Sequence, residues 1–240
     1  MYDRVIVATK GAHPSGQKAN RLEREDILSD LDQSLSNLGL DTIPLYWLHR
    51  DDPARDVGEI IETMNEACSA GKIRHFGCSN WRAERIAKAN RYARDHGLKG
   101  FAASQICWSV GFIPPERISD KTLVYMDDAE YMWYEKSRMT VAAYSSQARG
   151  YFAKLDKGQA LTSASVYDNS VNRRRFYKLR EVAQAKDVNI TGAVTAFIAS
   201  NPVNGIPIIG CSNAEQLEDS LRFCDAELTC EEIEYILSSK

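Results

Sequence analysis

The sequence predicts an α/β protein built on a parallel βα-barrel, with about six βα units present. Three observations predict it. Short apolar runs of strand character alternate with helical periods along the chain. The runs are apolar on both faces, as strands covered by helices on each side must be. Polar residues then gather at the C-terminal tip of each run: Lys10, His49, Ser79-Asn80, Gln105, Tyr144-Ser145 and Gly210-Cys211-Ser212. In a barrel of the (β/α)8, TIM-barrel type those tips open on one mouth, where the chemistry is done.

The elements follow in order. Strands are expected at Val5–Ala8, Ile43–Leu48, Ile73–Phe76, Phe101–Ile106, Thr140–Ala143 and Ile206–Ile209. Leu28, Leu31, Leu35 and Leu38 recur at helical spacing and Gly39 stops that helix. Val57, Ile60, Ile61 and Met64 make a second helix before Gly71, and Ile86, Ala89 and Ala93 a weaker third before Gly97. Phe176, Leu179 and Val182, then Val194, Phe197 and Ile198, mark two more. Ser212-Asn213-Ala214-Glu215 reads as a capping box opening a helix through Leu217 and Leu221, and Thr229-Cys230-Glu231-Glu232 as another. Strict alternation with right-handed crossovers means a parallel sheet, either a closed barrel or a doubly wound layer. No linker or low-complexity tract divides residues 1–240, so one domain is expected. Leu155–Asn172 is the longest aperiodic stretch and reads as a functional lid.

Composition narrows the partners. A net charge of −3 argues against nucleic acid and anionic membrane. No run approaches the ~18 apolar residues of a membrane helix, and no apolar leader precedes the first strand. The six cysteines, Cys68, Cys78, Cys107, Cys211, Cys224 and Cys230, lack paired C-x-x-C spacing, which points to buried, reduced thiols in a cytoplasmic protein and to no metal site.

Single residues decide little. Lys10 taken alone reads as a surface lysine. His49 reads equally as a satisfied core histidine, although alternation puts it on one face with Trp47 and leaves Tyr46 and Leu48 on the other. Gly-Cys-Ser-Asn occurs twice, at 77–80 and 210–213, and helix capping explains either copy. A helix N-terminus also suits an anion. No G-x-G-x-x-G is present, which weighs against a Rossmann domain.

Taken together, the blocks resemble the aldo-keto reductase family. Val7-Ala8-Thr9-Lys10 is similar to its lysine strand, Leu45-Tyr46-Trp47-Leu48-His49 to its histidine strand, and Gly71–Asn80 to its GKIR-x-x-G-x-SN block. Ala103-Ser104-Gln105, Tyr144-Ser145-Ser146-Gln147 and Ile209–Leu217 follow in the family's order. The resemblance implies an NADPH (NADP⁺)-dependent oxidoreductase that reduces a small aldehyde or ketone, with Lys10 and His49 stabilising the charge that grows on the carbonyl oxygen. By the same resemblance Ser79, Asn80 and Gln105 hold the nicotinamide carboxamide and Tyr144 stacks on its ring. Ser145, Ser146, Gln147 and Ala148 line the pyrophosphate. Gly210, Ser212, Gln216, Asp219 and Ser220 hold the adenosine end. Arg149, Lys154 and Arg173–Arg175 are basic residues able to meet a 2′-phosphate or simply to face solvent. Asp127-Asp128 and Trp133 are candidates for shaping substrate choice, with solvated carboxylates and a core tryptophan as the plain alternative.

The family uses an aspartate and a proton-donating tyrosine as well, on segments that would precede the lysine strand. Tyr2 sits at the far end of its strand from Lys10 and does not substitute. A positioned acid is worth ~10²–10⁴ in rate, so the alternative reading is an inactive NADP(H)-binding or interaction module. Six strands rather than eight leave the Val5 and Ile208 strands as edges. The chain is therefore expected to be an N-terminally truncated barrel domain, to associate with a second copy, or to close in another way.

Overall fold

A computed structural model of the chain describes residues 5–16, 18–161 and 165–238. The chain falls into two compact units, Met1–Ile106 with Thr122–Val124, and Cys107–Lys121 with Tyr125–Lys240.

The first unit alternates strand and helix: β1 (Ala8–Gly11), α1 (Arg24–Leu38), β2 (Ile43–Leu48), α2 (Val57–Ser69), β3 (Ile73–Ser79), α3 (Ala83–Asp95) and β4 (Ala103–Cys107). Its strands pair in parallel in chain order, with Lys10 opposite Trp47 and Ser79 opposite Gln105. Two glycines permit this packing. A Cβ on Gly11 would lie 1.8 Å from the Tyr46 hydroxyl, and one on Gly77 would lie 2.5 Å from the Trp47 ring. The α2 stripe Val57, Ile60, Ile61 and Met64 is buried throughout, as is the α3 stripe Ile86, Ala89 and Ala93. In α1 the core residues are Ile27 and Leu31, while Leu28, Leu35 and Leu38 are half-buried at its margin.

The second unit contains α4 (Asp128–Ser137), β5 (Thr140–Tyr144), α5 (Tyr151–Asp156), α6 (Ser170–Ala185), α7 (Ile190–Ala199), β6 (Gly205–Pro207), α8 (Ala214–Leu221) and α9 (Cys230–Leu237). β5 and β6 pair in parallel, Val141 opposite Gly205 and Ala143 opposite Pro207. The N–H of Trp108, just past β4, donates to the Tyr144 carbonyl at 3.2 Å. α7 is apolar all round because nearly all of it is buried, from Ile190 to Ile198.

Several expectations change. β1 begins at Ala8 and not Val5, since Ala8 is the first residue with a β2 partner; Val5 and Ile6 are 57% and 79% exposed. β6 covers Gly205–Pro207 rather than Ile206–Ile209, although the Ile208 N–H still donates to the Ala143 carbonyl at 3.0 Å, and Ile206 is exposed. Leu217 and Leu221 of α8 face outward, and the residue α8 buries is Ser220. The α8 cap is Asn213, not Ser212: Asn213 Oδ1 accepts from Gln216 N–H, and Gln216 Oε1 accepts from Ser212 N–H. The Thr229–Glu232 capping box forms as expected. Asn80 caps no helix, because α3 opens at Arg82 instead. Helices occupy both ends of Leu155–Asn172, and 157–161 and 165–169 lie outside them; positions 162–164, like Tyr2, lie outside the described residues. Cys78 and Cys107 are buried free thiols, and burial pushes Cys107 up to about 11, whereas Cys224 and Cys230 are exposed.

Candidate active site

In the first unit the predicted polar residues sit at the C-terminal ends of adjacent parallel strands. Lys10 is the third residue of β1, and His49 directly follows β2 with its N–H donating to the Gly11 carbonyl at 2.9 Å. Ser79 ends β3 and is buried. Asn80 then adopts a left-handed conformation (φ 59°), which an asparagine tolerates better than most residues. Its N–H donates to the Gln105 carbonyl at 2.9 Å, its Nδ2 to Ser79 Oγ at 3.1 Å, and its Oδ1 accepts from Val124 N–H at 3.1 Å. Asn80 is thus fixed through its backbone and through both ends of its side-chain amide. The loop after His49 is held by Arg85, whose guanidinium pairs with Asp51 and donates to the carbonyls of Asp52 and Arg55.

This cluster is electropositive and partly dry. Burial lowers the Lys10 pKa from its ordinary value. His49 is pushed down to about 4, first by burial and then by the neighbouring His13, Arg50 and Lys10. His49 is therefore a neutral imidazole at neutral pH, able to donate one N–H without carrying charge. Tyr46 is packed under β1 against Gly11 and Asp30, and burial drives its phenol upward.

In the second unit, Ser145, Ser146, Gln147, Gly210, Ser212, Gln216, Asp219 and Ser220 line one cavity of about 720 Å³. That volume is in the range of small-molecule sites. Its floor is a turn of repeated left-handed residues, Ser145 (φ 53°), Ala148 (φ 49°), Arg149 (φ 54°) and Gly150 (φ 76°). Two N–H groups of this turn are used within it, Ala148 donating to the Ser145 carbonyl and Gly150 to the Gln147 carbonyl, each at 2.8 Å. A Cβ on Gly210 would meet nothing within 4 Å, so the wall there is open. Arg149, Lys154, Lys157 and Arg222 add cations to the lining. Arg173 instead pairs with Asp168, and Arg175 turns inward to the Val110 carbonyl. Tyr144 is half-buried and outside the lining, and Ala148 is buried beneath it.

The polar lining is also tied together. Gln147 Nε2 donates to Ser220 Oγ at 2.9 Å, and Ser220 Oγ donates to the Gln216 carbonyl at 2.7 Å. Ser146 Oγ donates to the Ile208 carbonyl at 2.6 Å. Asp219 accepts from Asn189 Nδ2 at 2.8 Å and Thr191 Oγ1 at 3.0 Å, so its carboxylate anchors α8 to the start of α7. Thr191, Lys157 and Arg222 are lining residues that sequence reasoning missed, since none belongs to a recognisable block. Asp127 caps α4, and Trp133 is half-buried with its ring edge-on to Tyr134.

The Aldo/keto reductase family model matches residues 1–239. The chain belongs to that family. An aldo-keto reductase barrel of parallel βα units is therefore the fold class, with six strands among the described residues. Among curated relatives, the norsolorinic acid reductase stcV of Emericella nidulans is 28% identical over 204 residues, 85% of this chain and 50% of that protein. The 6-dehydroglucose reductase of Novosphingobium aromaticivorans is 28% identical over 223 residues, 91% of this chain and 63% of that protein. The chain thus spans about half the length of the first of these aldo-keto reductase-family relatives. A thermostable aldo-keto reductase, Tm1743, solved in complex with the inhibitor epalrestat, superposes with a TM-score of 0.73 at 20% identity, covering 99% of this chain and 72% of its own.

Proposed function

We propose that the chain acts as one aldo-keto reductase domain that binds NADP(H) and reduces a small aldehyde or ketone to the alcohol. The observation that carries this reading is the cavity between the 145–150 turn and α8, where an open glycine wall and four cations suit a dinucleotide's phosphates. Arg149, Lys154, Lys157 and Arg222 favour NADPH over NADH, because a 2′-phosphate adds negative charge for them to meet. Ser145, Ser146 and Gln147 would line the pyrophosphate, Gly210, Ser212, Gln216 and Ser220 the adenosine end, with Asp219 supporting them from behind. Ser79, Asn80 and Gln105 would hold the carboxamide, and Tyr144 would stack on the ring with Ala148 beneath the turn.

When bound, the nicotinamide supplies a hydride to the carbonyl carbon. Lys10 contributes positive charge and His49 a neutral N–H donor toward the oxygen as it becomes negative. Because both groups are partly desolvated, their effect on that oxygen exceeds what it would be in water. A cytoplasmic setting fits the free thiols.

The second reading is an NADP(H)-binding module without turnover. It is favoured by Tyr46, the one tyrosine on the histidine strand, whose hydroxyl is packed under β1 and offers no acid to the Lys10–His49 cluster. Titrating the chain with NADPH, followed by nucleotide fluorescence and calorimetry, and then assaying oxidation of NADPH with 4-nitrobenzaldehyde, separates the two. Binding with turnover supports the reductase; binding without turnover leaves the module; no binding removes both.

A further inference from the structure

The loop that follows β1 is built around one carboxylate. Asp30 stands half-buried on α1. Its Oδ2 accepts the Ala12 N–H at 2.8 Å, and its Oδ1 accepts from Arg21 Nη2 at 2.6 Å. Arg21 in turn donates through Nη1 to the His13 carbonyl at 3.3 Å. The ion pair therefore grips the loop twice, by the N–H of Ala12 and by the carbonyl of His13. Ala12 needs such a grip, because it is buried and left-handed (φ 59°), a conformation that a Cβ disfavours.

Two contacts carry the position of this loop to His49. The Gly11 carbonyl accepts the His49 N–H at 2.9 Å, which fixes the His49 backbone. The His13 ring lies edge-to-face on the His49 ring, centroids 4.3 Å apart and planes at 68°, which restricts the His49 side chain. The His13 ring is itself held, since its Nδ1 lies 2.6 Å from the Pro14 carbonyl. A carbonyl only accepts, so Nδ1 carries the hydrogen of that bond. Lys10 from β1 and Arg50 from beyond β2 are the charged groups acting on His49, while both Asp30 oxygens are engaged by Ala12 and Arg21.

We propose that Asp30 is a positioning residue for the His49 imidazole, acting through Ala12 and His13. The inference rests on the reductase reading above, in which His49 offers an N–H to the carbonyl oxygen. A donor aimed at that oxygen loses its effect when it is displaced, and an ångström of misplacement can cost about 10²-fold in rate. In this role Asp30 moves no proton. It keeps the His13 ring against the His49 ring, so that the imidazole holds one orientation.

The test has two readouts: kcat with NADPH and 4-nitrobenzaldehyde, and the NMR titration of the His49 imidazole, assigned with H49Q. In D30A, kcat should fall about tenfold with the NADPH Kd unchanged. The His49 midpoint should rise from about 4 toward the ordinary value of about 6.5 as the ring gains solvent. D30N keeps an oxygen for the Ala12 N–H and should retain most of the activity. H13A should behave as D30A does, whereas H13F keeps a ring on His49 and should stay within about twofold of wild type. D30A combined with H13A should fall little further than either change alone, since both act on one contact. Should D30A fail to fold, R21M releases the His13 carbonyl, takes its place and is expected to shift both readouts in the same direction. A merely structural Asp30 would lower the melting temperature yet leave kcat and the His49 midpoint of the folded protein in place. That result overturns the proposal and leaves the reductase standing, as does equal loss of kcat in H13A and H13F. A wild-type chain that binds NADPH yet turns over no aldehyde overturns positioning role and reductase together.

Discussion

Gln147 Nε2 donates to Ser220 Oγ at 2.9 Å, joining the left-handed turn after β5 to the one buried residue of α8. Both residues line the same cavity, so this bond sets how far its two walls stand apart.

Substituting Ser220 by alanine removes the acceptor for Gln147 and the donor to the Gln216 carbonyl. A net hydrogen bond is worth about 0.5–1.5 kcal/mol, so S220A should weaken NADPH binding roughly two- to tenfold. Fluorescence titration reads the affinity directly. An unchanged Kd would mean that the Gln147–Ser220 bond does not shape the binding surface.

Gly11 offers a sharper stability test. A methyl at this position would lie 1.8 Å from the Tyr46 hydroxyl and 2.8 Å from Asp30 Cβ, in a fully packed region. Overpacking of this kind costs about 1–3 kcal/mol, occasionally more, and G11A should fall at the upper end in urea unfolding. Y46F removes the closest atom, so G11A/Y46F should recover part of the loss and the two changes should be strongly non-additive. Additive effects would show that the strand shifts rather than clashes.

Which parts were legible in the sequence follows from where the physics is local. The run Ile43–Leu48 forms β2 with the bounds expected, since its apolar length and flanks contain all that decides it. Gly39, Gly71 and Gly97 end or follow their helices with φ of 62°, 73° and 66°, a conformation that glycine adopts at no steric cost. Leu217 and Leu221 misled, because periodicity says that a helix has an apolar stripe but not that anything covers it. The two Gly-Cys-Ser-Asn copies diverge for a related reason: Asn213 precedes a helix at once, whereas Asn80 is turned left-handed by bonds to Gln105 and Val124, far along the chain. The edge-to-face contact of His13 on His49 was likewise invisible, since it depends on the loop that Ala12 and Asp30 fix.

The depressed His49 pKa carries a stability signature. In the unfolded chain His49 titrates near the ordinary value of about 6.5, and in the folded chain at about 4. Between these values the unfolded state binds more protons, so stability is fully retained above pH 6.5 and declines as pH falls toward 4. His49 is half-exposed and screened by solvent, which reduces the loss to about 1–2 kcal/mol. Urea unfolding at pH 7 and pH 4.5 should show wild type losing this much more than H49Q. Equal losses in the two proteins would place His49 in ordinary solvent.

Lys178 is a buried charge of the second unit with every donor in use. It is only 9% exposed on α6, and its ammonium donates to the Tyr235 carbonyl at 3.1 Å, the Ser238 carbonyl at 2.9 Å and Ser238 Oγ. Three donors meet three acceptors, and the Tyr235 ring lies 5.0 Å away on the cation's flank. The lysine therefore satisfies the end of α9, whose last carbonyls have no intrahelical partner. K178M keeps the volume but takes the ammonium from the Ser238 carbonyl, while the Tyr235 carbonyl still accepts from Ser238 N–H and Oγ; the cost should be about 1.5–3 kcal/mol, the worth of a hydrogen bond to a charged group. The loss should be local before it is global. Hydrogen exchange should speed up across Ile233–Leu237 in K178M while Ile43–Leu48 keeps its protection, because the ammonium holds the end of α9 to α6, beside the Tyr235–Glu181 and Lys186–Glu232 pairs. Uniform acceleration over the chain would show instead that α9 opens only when the whole protein unfolds.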